Sequence, residues 1–345
     1  MKKMARLLSL LLVLVITVSL VGCGGTNATP AASNTQAANS AKPAKKIVVG
    51  FSQIGAESEW RTAMTTNVKE AMESAGFELK YSDGQQKQEN QIKAIRSFIQ
   101  QKVDVIILAP VVATGWDAVL KEAKDAKVPV IVANRGLKLA SGKAEDYYVT
   151  FLGPNNTLAG KLCAQNVVEK FKDVQGDINI IELQGTVGAS TATERKLGFE
   201  EVMKANPRFK TAYSQTGDYT RSKGKEVMEA MLKSAKADGK KIDVLWSHSD
   251  DMAIGASQAI EEAGLKPGKD IYIVSVDGVR AAFEGMVAGT HNATAENPID
   301  YGTPLIELIN KIADGKADTI EKRMVMEYKI WKQDQAAAEL PNRKF

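Results

Sequence analysis

Histidine and cysteine are almost missing from this chain, with two of each among 345 residues. Cys23 and Cys163 alone cannot build a CxxC zinc or redox motif. Cys163, solitary in a helical stretch, reads as a small buried hydrophobe and not as a nucleophile. A Ser-His-Asp triad would need His248 or His291 beside a nucleophile, and Gly50-Phe51-Ser52-Gln53-Ile54 misses the nucleophile elbow by one glycine. No phosphate loop, GxGxxG fingerprint, HExxH pair or Asp-x-Asp-x-Asp calcium loop occurs. The sequence therefore reads as that of a protein without catalytic residues, bound metal or cofactor. It also lacks an excess of charge: 45 Lys+Arg against 41 Asp+Glu is too even, and the charges too dispersed, for a nucleic-acid surface.

What is present is ordinary globular material, 44% hydrophobic and 25% charged, which excludes a wholly disordered or fibrous chain. At about 150 residues per domain the length suggests two units with sizeable cores. The single long apolar run lies at the start. Lys2, Lys3 and Arg6 precede Leu7 to Val21, then Gly22 and Cys23, which is the layout of a signal peptide over 1–22. The run is too short to cross ~30 Å of hydrocarbon comfortably as a permanent helix. Its ending resembles the bacterial lipobox, which implies that Cys23 becomes the lipidated first residue. Residues 24–45 contain no large apolar side chain and cannot offset the entropy of ordering, so 23–45 reads as a lipidated cysteine and flexible linker. Together these features describe a lipoprotein of the cell envelope, extracytoplasmic and anchored to the membrane by lipid. Loss of the signal removes three positive charges, so the slight basicity reports targeting and no partner.

From Lys46 onward, short β-branched runs alternate with amphipathic segments. Strands are expected at 47–51, 77–82, 103–108, 128–133, 147–152, 178–183, 242–247 and 271–276. Helices are expected at 57–75, 86–101, 116–126, 155–171, 190–205, 221–236, 251–263 and 279–288. The run at 103–108, VDVIIL, does not alternate, as expected for a strand covered on both faces of a parallel sheet. The pattern predicts an α/β chain of two doubly wound parallel-sheet lobes. Right-handed crossovers bring the strand-to-helix loops to one sheet edge, where ligands of such folds bind. The conspicuous polar residues fall in those loops: Ser52 to Arg61, Asn134-Arg135, Gln184 to Arg195, His248 to Asp251, Asp277 and Glu296.

Several segments also resemble type I periplasmic binding proteins of sugar ABC importers, the group with ribose-, galactose- and galactofuranose-binding members. They are VGFSQIGAESEWR (49–61), DGQQKQENQIKAIRSF (83–98), APVVATGW (109–116), LKEAKDAKVPV (120–130), ELQGTVGAS (182–190), TRSKGKEVME (220–229), DDMAIGA (250–256) and EAGLKPGKDI (262–271). The resemblance covers about 46–330. It implies two lobes joined by a three-strand hinge, lobe I holding 46–152 and 297–325, lobe II 153–296 and 326–345. It further implies a monosaccharide ligand, galactofuranose- or galactose-like or another hexose or pentose. The partners implied are a membrane permease and its ATPase subunit, with the binding protein a monomer. A sugar offers apolar C–H faces to aromatic rings and a rim of hydroxyls to arginines, carboxylates and amides.

By this resemblance Trp60 and Tyr219 are the stacking rings, and Arg61, Arg135 and Arg195 donate to hydroxyls. Glu57 lies in the same Glu-Ser-x-Trp-Arg context, and Asp277 is a hydroxyl acceptor. Asp250 or Asp251 caps the following helix, with Asp250 the expected ligand contact, and Glu296 is an acidic hinge residue able to reach the ligand. Asn134 stands where the family carries aspartate and Ser249 where it usually carries asparagine, changes that would reshape hydroxyl recognition. A sensing receptor that presents a sugar or autoinducer to a membrane signalling protein would share this pattern.

Overall fold

The computed structural model describes residues 46–140 and 142–345. The expected signal peptide, Cys23 and the whole linker lie outside the described residues. The chain begins with β1 (Val48–Gln53), α1 (Glu59–Ser74), β2 (Glu78–Asp83), α2 (Gln88–Gln100), β3 (Val105–Leu108), α3 (Asp117–Asp125), β4 (Val130–Ala133) and β5 (Thr150–Pro154). It continues with α4 (Asn156–Lys170), β6 (Ile178–Gln184), α5 (Ser190–Lys204), β7 (Phe209–Thr216), α6 (Arg221–Ala237), β8 (Val244–Ser247), α7 (Asp250–Glu262), β9 (Tyr272–Asp277) and α8 (Arg280–Ala288). The last elements are β10 (Ala293–Glu296), α9 (Gly302–Ala313), β11 (Arg323–Met326), β12 (Lys329–Lys332) and α10 (Gln333–Glu339).

These strands form two six-stranded sheets, ordered β11-β5-β4-β3-β1-β2 and β12-β10-β9-β8-β6-β7. Each sheet is the centre of one α/β lobe. The chain passes between sheets after β5, after β10 and after β11, which leaves three crossings at one end of the cleft. Strands β3 and β4, VIIL and VIVA, are buried at every position, as their unbroken apolar runs require for central parallel strands. One departure from a purely parallel pattern is β12, which pairs antiparallel with β10 at a sheet edge.

Strand β7 leaves no clear sign in the sequence. It lies at a sheet edge and pairs with β6, and only Phe209 of its residues is fully buried, so no apolar run or clean alternation marks it. Helix α1 begins at Glu59 instead of Glu57, because the Ser58 hydroxyl caps it by accepting from Arg61 N at 3.1 Å. Helices α4 and α5 touch backbone to backbone. A Cβ on Gly160 would lie 2.0 Å from Arg195 O, and one on Gly198 2.0 Å from Thr157 O. That close approach sets Arg195 against the cleft. The core of the first lobe also takes in Val279 and Ala282 from the second, so apolar packing joins the lobes. Cys163 is fully buried in α4, and burial raises its thiol pKa, as suits a packing residue.

Behind the second sheet His291 is fully buried, its Nε2 2.8 Å from Ser275 Oγ. Burial lowers its pKa from 6.5 to about 4. The folded value is below the unfolded one, so its contribution is complete above pH 6.5 and is lost as pH falls through about 4. The expected loss is roughly 3 kcal/mol over that window. His291→Gln should flatten this part of the profile when unfolding free energy is followed by urea titration at stepped pH.

Candidate binding site

A small cavity lies between the lobes at the carboxyl ends of the strands. Glu57, Ser58, Trp60 and Arg61 reach it from the start of α1, and Asn134 and Arg135 from the end of β4. Thr191 and Arg195 come from α5, Tyr219 from the loop before α6, Asp277 from the tip of β9 and Asn297 from the segment after β10. Eight of the eleven expected residues thus meet in one place: Glu57, Trp60, Arg61, Asn134, Arg135, Arg195, Tyr219 and Asp277.

On the first lobe, starting α1 at Glu59 leaves Glu57 free to turn inward. Its Oε1 accepts from Arg61 Nε at 3.1 Å and lies 3.8 Å from Arg135 Nη2. Arg61 Nη2 also donates to Asn134 Oδ1 at 2.9 Å, while Asn134 Nδ2 donates to Tyr301 Oη at 3.2 Å. The amide thus supplies one acceptor and one donor, where an aspartate would supply acceptors alone and the Tyr301 hydroxyl would have to donate. Arg135 Nη1 donates to Val111 O at 2.8 Å. Burial and the neighbouring Arg61 push the Arg135 pKa down to about 10, which still leaves a cation at neutral pH. Trp60 is 2% exposed and donates from Nε1 to Asn297 O at 2.9 Å.

On the second lobe, the Tyr219 hydroxyl and Thr191 Oγ1 share a hydrogen bond of 2.8 Å. The guanidinium carbons of Arg135 and Arg195 lie over the Tyr219 ring at 5.0 and 6.0 Å, so the ring supports two arginines. Gly185 makes room for it: a Cβ there would fall 1.9 Å from Tyr219 Cζ. Arg195 donates to His248 O, to Asn156 Oδ1 at 3.3 Å and to Tyr328 Oη at 3.1 Å, and its Nη2 lies 3.6 Å from Asp277 Oδ1. Burial raises the Asp277 pKa, Arg195 opposes that shift, and Asp250 and Asp251 add to it. Asn134, Tyr219 and Asp277 have φ of 64°, 62° and 134°, left-handed values that non-glycine residues hold only when their surroundings enforce them.

Three expected contacts lie outside the lining. Ser249 is the N-cap of α7, its hydroxyl accepting from Met252 N at 3.4 Å, so it takes the capping role expected of Asp250 or Asp251. Asp250 is fully buried behind the cavity and is saturated by four donors. Its Oδ1 accepts from Ser275 Oγ and from Thr294 Oγ1 at 2.8 Å, and its Oδ2 from Gly278 N at 2.7 Å and Val279 N at 2.9 Å. Glu296 turns to the C-terminal segment, where Arg343 Nη1 donates at 2.6 Å and Trp331 Nε1 at 2.5 Å. Ser58, Thr191 and Asn297 line the cavity without having been singled out. Thr191 falls within the Gln184-to-Arg195 loop, and Asn297 is the residue after Glu296.

The wall presents three cations, two carboxyl groups, amides and hydroxyls, all at fixed positions. Among the described residues no group of three or more His, Cys, Asp or Glu could hold a metal ion. Two hinged α/β lobes with such a cavity between them define a receptor for a small polar solute. The family described as periplasmic binding protein domain matches residues 47–317, and the chain belongs to it. That is a family of binding proteins, not of enzymes, and it works on the extracytoplasmic side of the membrane.

The galactofuranose-binding protein YtfQ of Escherichia coli is 48% identical over 303 residues, 87% of this chain and 92% of the relative. The fructose import binding protein FruE of Bifidobacterium longum is 32% identical over 99% of this chain and 98% of its own length. A solved structure, the periplasmic binding protein component of the arabinose ABC transporter from Shewanella sp. ANA-3 bound to α- and β-L-arabinofuranose, matches with TM-score 0.81 and 47% identity. That match covers 86% of this chain and 95% of the other.

Proposed function

We propose that this protein is the solute-binding lipoprotein of an ABC importer, capturing a monosaccharide in furanose form and delivering it to a membrane permease driven by an ATPase subunit. The observation that carries the reading is a set of buried, unpartnered polar atoms on the cavity residues: Glu57 Oε2, Arg135 Nε and Asn297 Oδ1. Each such atom costs about 1–3 kcal/mol when buried alone, and a ligand rimmed with hydroxyls, each both donor and acceptor, satisfies them. The cavity is small and lined mostly by polar side chains, which suits one small polyhydroxyl ligand and not a chain of sugars. The galactofuranose and arabinofuranose relatives favour the five-membered ring. Lobe I, 46–152 with 297–325, and lobe II, 153–296 with 326–345, close on the sugar because it touches both, and differential affinity for the closed form drives the change. The signal peptide directs export and is removed, and the lipidated Cys23 with its linker tethers a monomeric receptor to the outer face of the membrane. Membrane release of a Cys23→Ala form, followed by fractionation, tests that part.

Calorimetric titration with pentoses and hexoses, L-arabinose and D-galactose among them, tests the ligand class. One-site binding is expected, and absence of heat for every sugar would refute it. Trp60→Ala removes ring contact with the sugar of order 1 kcal/mol or more, and should weaken binding roughly tenfold in the same experiment.

A further inference from the structure

Outside the cavity, the amino ends of two helices from opposite lobes face one another. Helix α1 of the first lobe starts at Glu59 and helix α7 of the second at Asp250. Each end carries unsatisfied N–H groups equivalent to about half a positive charge, so bare ends would repel as the lobes close. The Asp251 carboxylate fills the gap. Its Oδ2 accepts from Glu59 N across the cleft at 2.8 Å. Its Oδ1 accepts from Arg221 Nη2 at 2.8 Å and Nε at 3.1 Å, within its own lobe. Arg221 Nη2 then reaches back to Glu59 Oε2 at 3.3 Å. Asp251 is 4% exposed, so this carboxylate is held by three donors away from water. None of the three residues lines the cavity.

We propose that Asp251, Glu59 and Arg221 form a closure latch, a contact between lobes that sets the closed fraction of the protein and thereby its affinity without touching the ligand. Two further cross-lobe bonds, Ala113 N to Gly188 O at 2.9 Å and Gly136 N to Ser190 Oγ at 2.8 Å, form along the same seam, but neither joins charged side chains. The latch rests on the reading of the chain as a closing receptor. Apparent affinity scales with the closed, competent fraction, so loosening the latch raises the apparent Kd in proportion. Asp251→Ala leaves two helix ends facing each other and should raise it roughly tenfold, mostly through faster dissociation. Arg221, with a side chain 45% exposed, contributes less, and Arg221→Ala should raise it about threefold.

The test combines small-angle X-ray scattering of the sugar-free protein with stopped-flow and calorimetric binding of L-arabinose and D-galactose, on wild type, Asp251→Ala, Asp251→Asn and Arg221→Ala. The expected result is a larger radius of gyration without sugar and a faster dissociation rate, with Asp251 variants most affected. Folded variants with unchanged scattering and unchanged dissociation would overturn the latch. If wild type binds neither sugar, the sugar reading fails, while the scattering of the sugar-free variants still decides the latch.

Discussion

Replacing Asp250, buried behind the cavity, by alanine is expected to destabilise the protein by about 4 kcal/mol, the largest effect on folding foreseen for any single substitution. The substitution leaves Ser275 Oγ, Thr294 Oγ1, Gly278 N and Val279 N without their shared acceptor in a place water does not reach. It also releases the turn that holds Asp277 at φ 134°, a strained value kept by those two backbone bonds on the residues that follow. Affinity should therefore fall along with stability. Asp250→Asn discriminates between a structural and a direct role. Its oxygen can take the two backbone N–H groups and its NH₂ can donate to the two hydroxyl oxygens, so a loss of only about 1 kcal/mol is expected. Sugar affinity should stay near wild type in that variant. Urea denaturation and titration of both variants check this, and an alanine variant of wild-type stability would contradict it.

Arg135→Ala should lower sugar affinity about 100-fold while leaving the fold largely intact. Arg135 is 2% exposed, carries an unpartnered Nε, and sets its Nη2 3.8 Å from Glu57 Oε1. Losing a charged donor from a desolvated contact costs about 2–5 kcal/mol. Glu57 keeps its 3.1 Å pair with Arg61, so no carboxylate is stranded. Arg135→Lys keeps the charge but not the planar fork and should fall between the two. Equal Kd values for wild type and alanine variant, by calorimetry, would remove Arg135 from the site.

The fold was legible because apolar runs such as VIIL and VIVA mark central strands, and because crossovers bring polar loops to one edge. The edge strand β7 was not, since exposure erases its apolar signature. Within the site, the differences between expectation and placement are differences of facing. Asp250 and Asp251 are consecutive on α7, and one helical step turns the side chain by about 100°. The first therefore points back to the turn at 278–279, and the second reaches across the cleft to Glu59 N. Glu296 and Asn297 sit at the end of a strand, where successive side chains point to opposite faces. Asn297 faces the cavity, while Glu296 meets Arg343, a partner 47 residues away along the chain that no local pattern discloses. Tyr219 is among the residues expected to meet the ligand, but only the packed structure reveals that its ring carries Arg135 and Arg195.

The ring form of the bound sugar is the most direct measure of the whole account. Carbon-13 NMR of D-galactose and L-arabinose labelled at the anomeric carbon, mixed with excess protein, reads that form from the chemical shift. A bound signal at furanose positions is expected, and it vanishes with Arg135→Ala. A bound signal at pyranose positions, or no bound signal for either sugar with the folded wild-type protein, would contradict it.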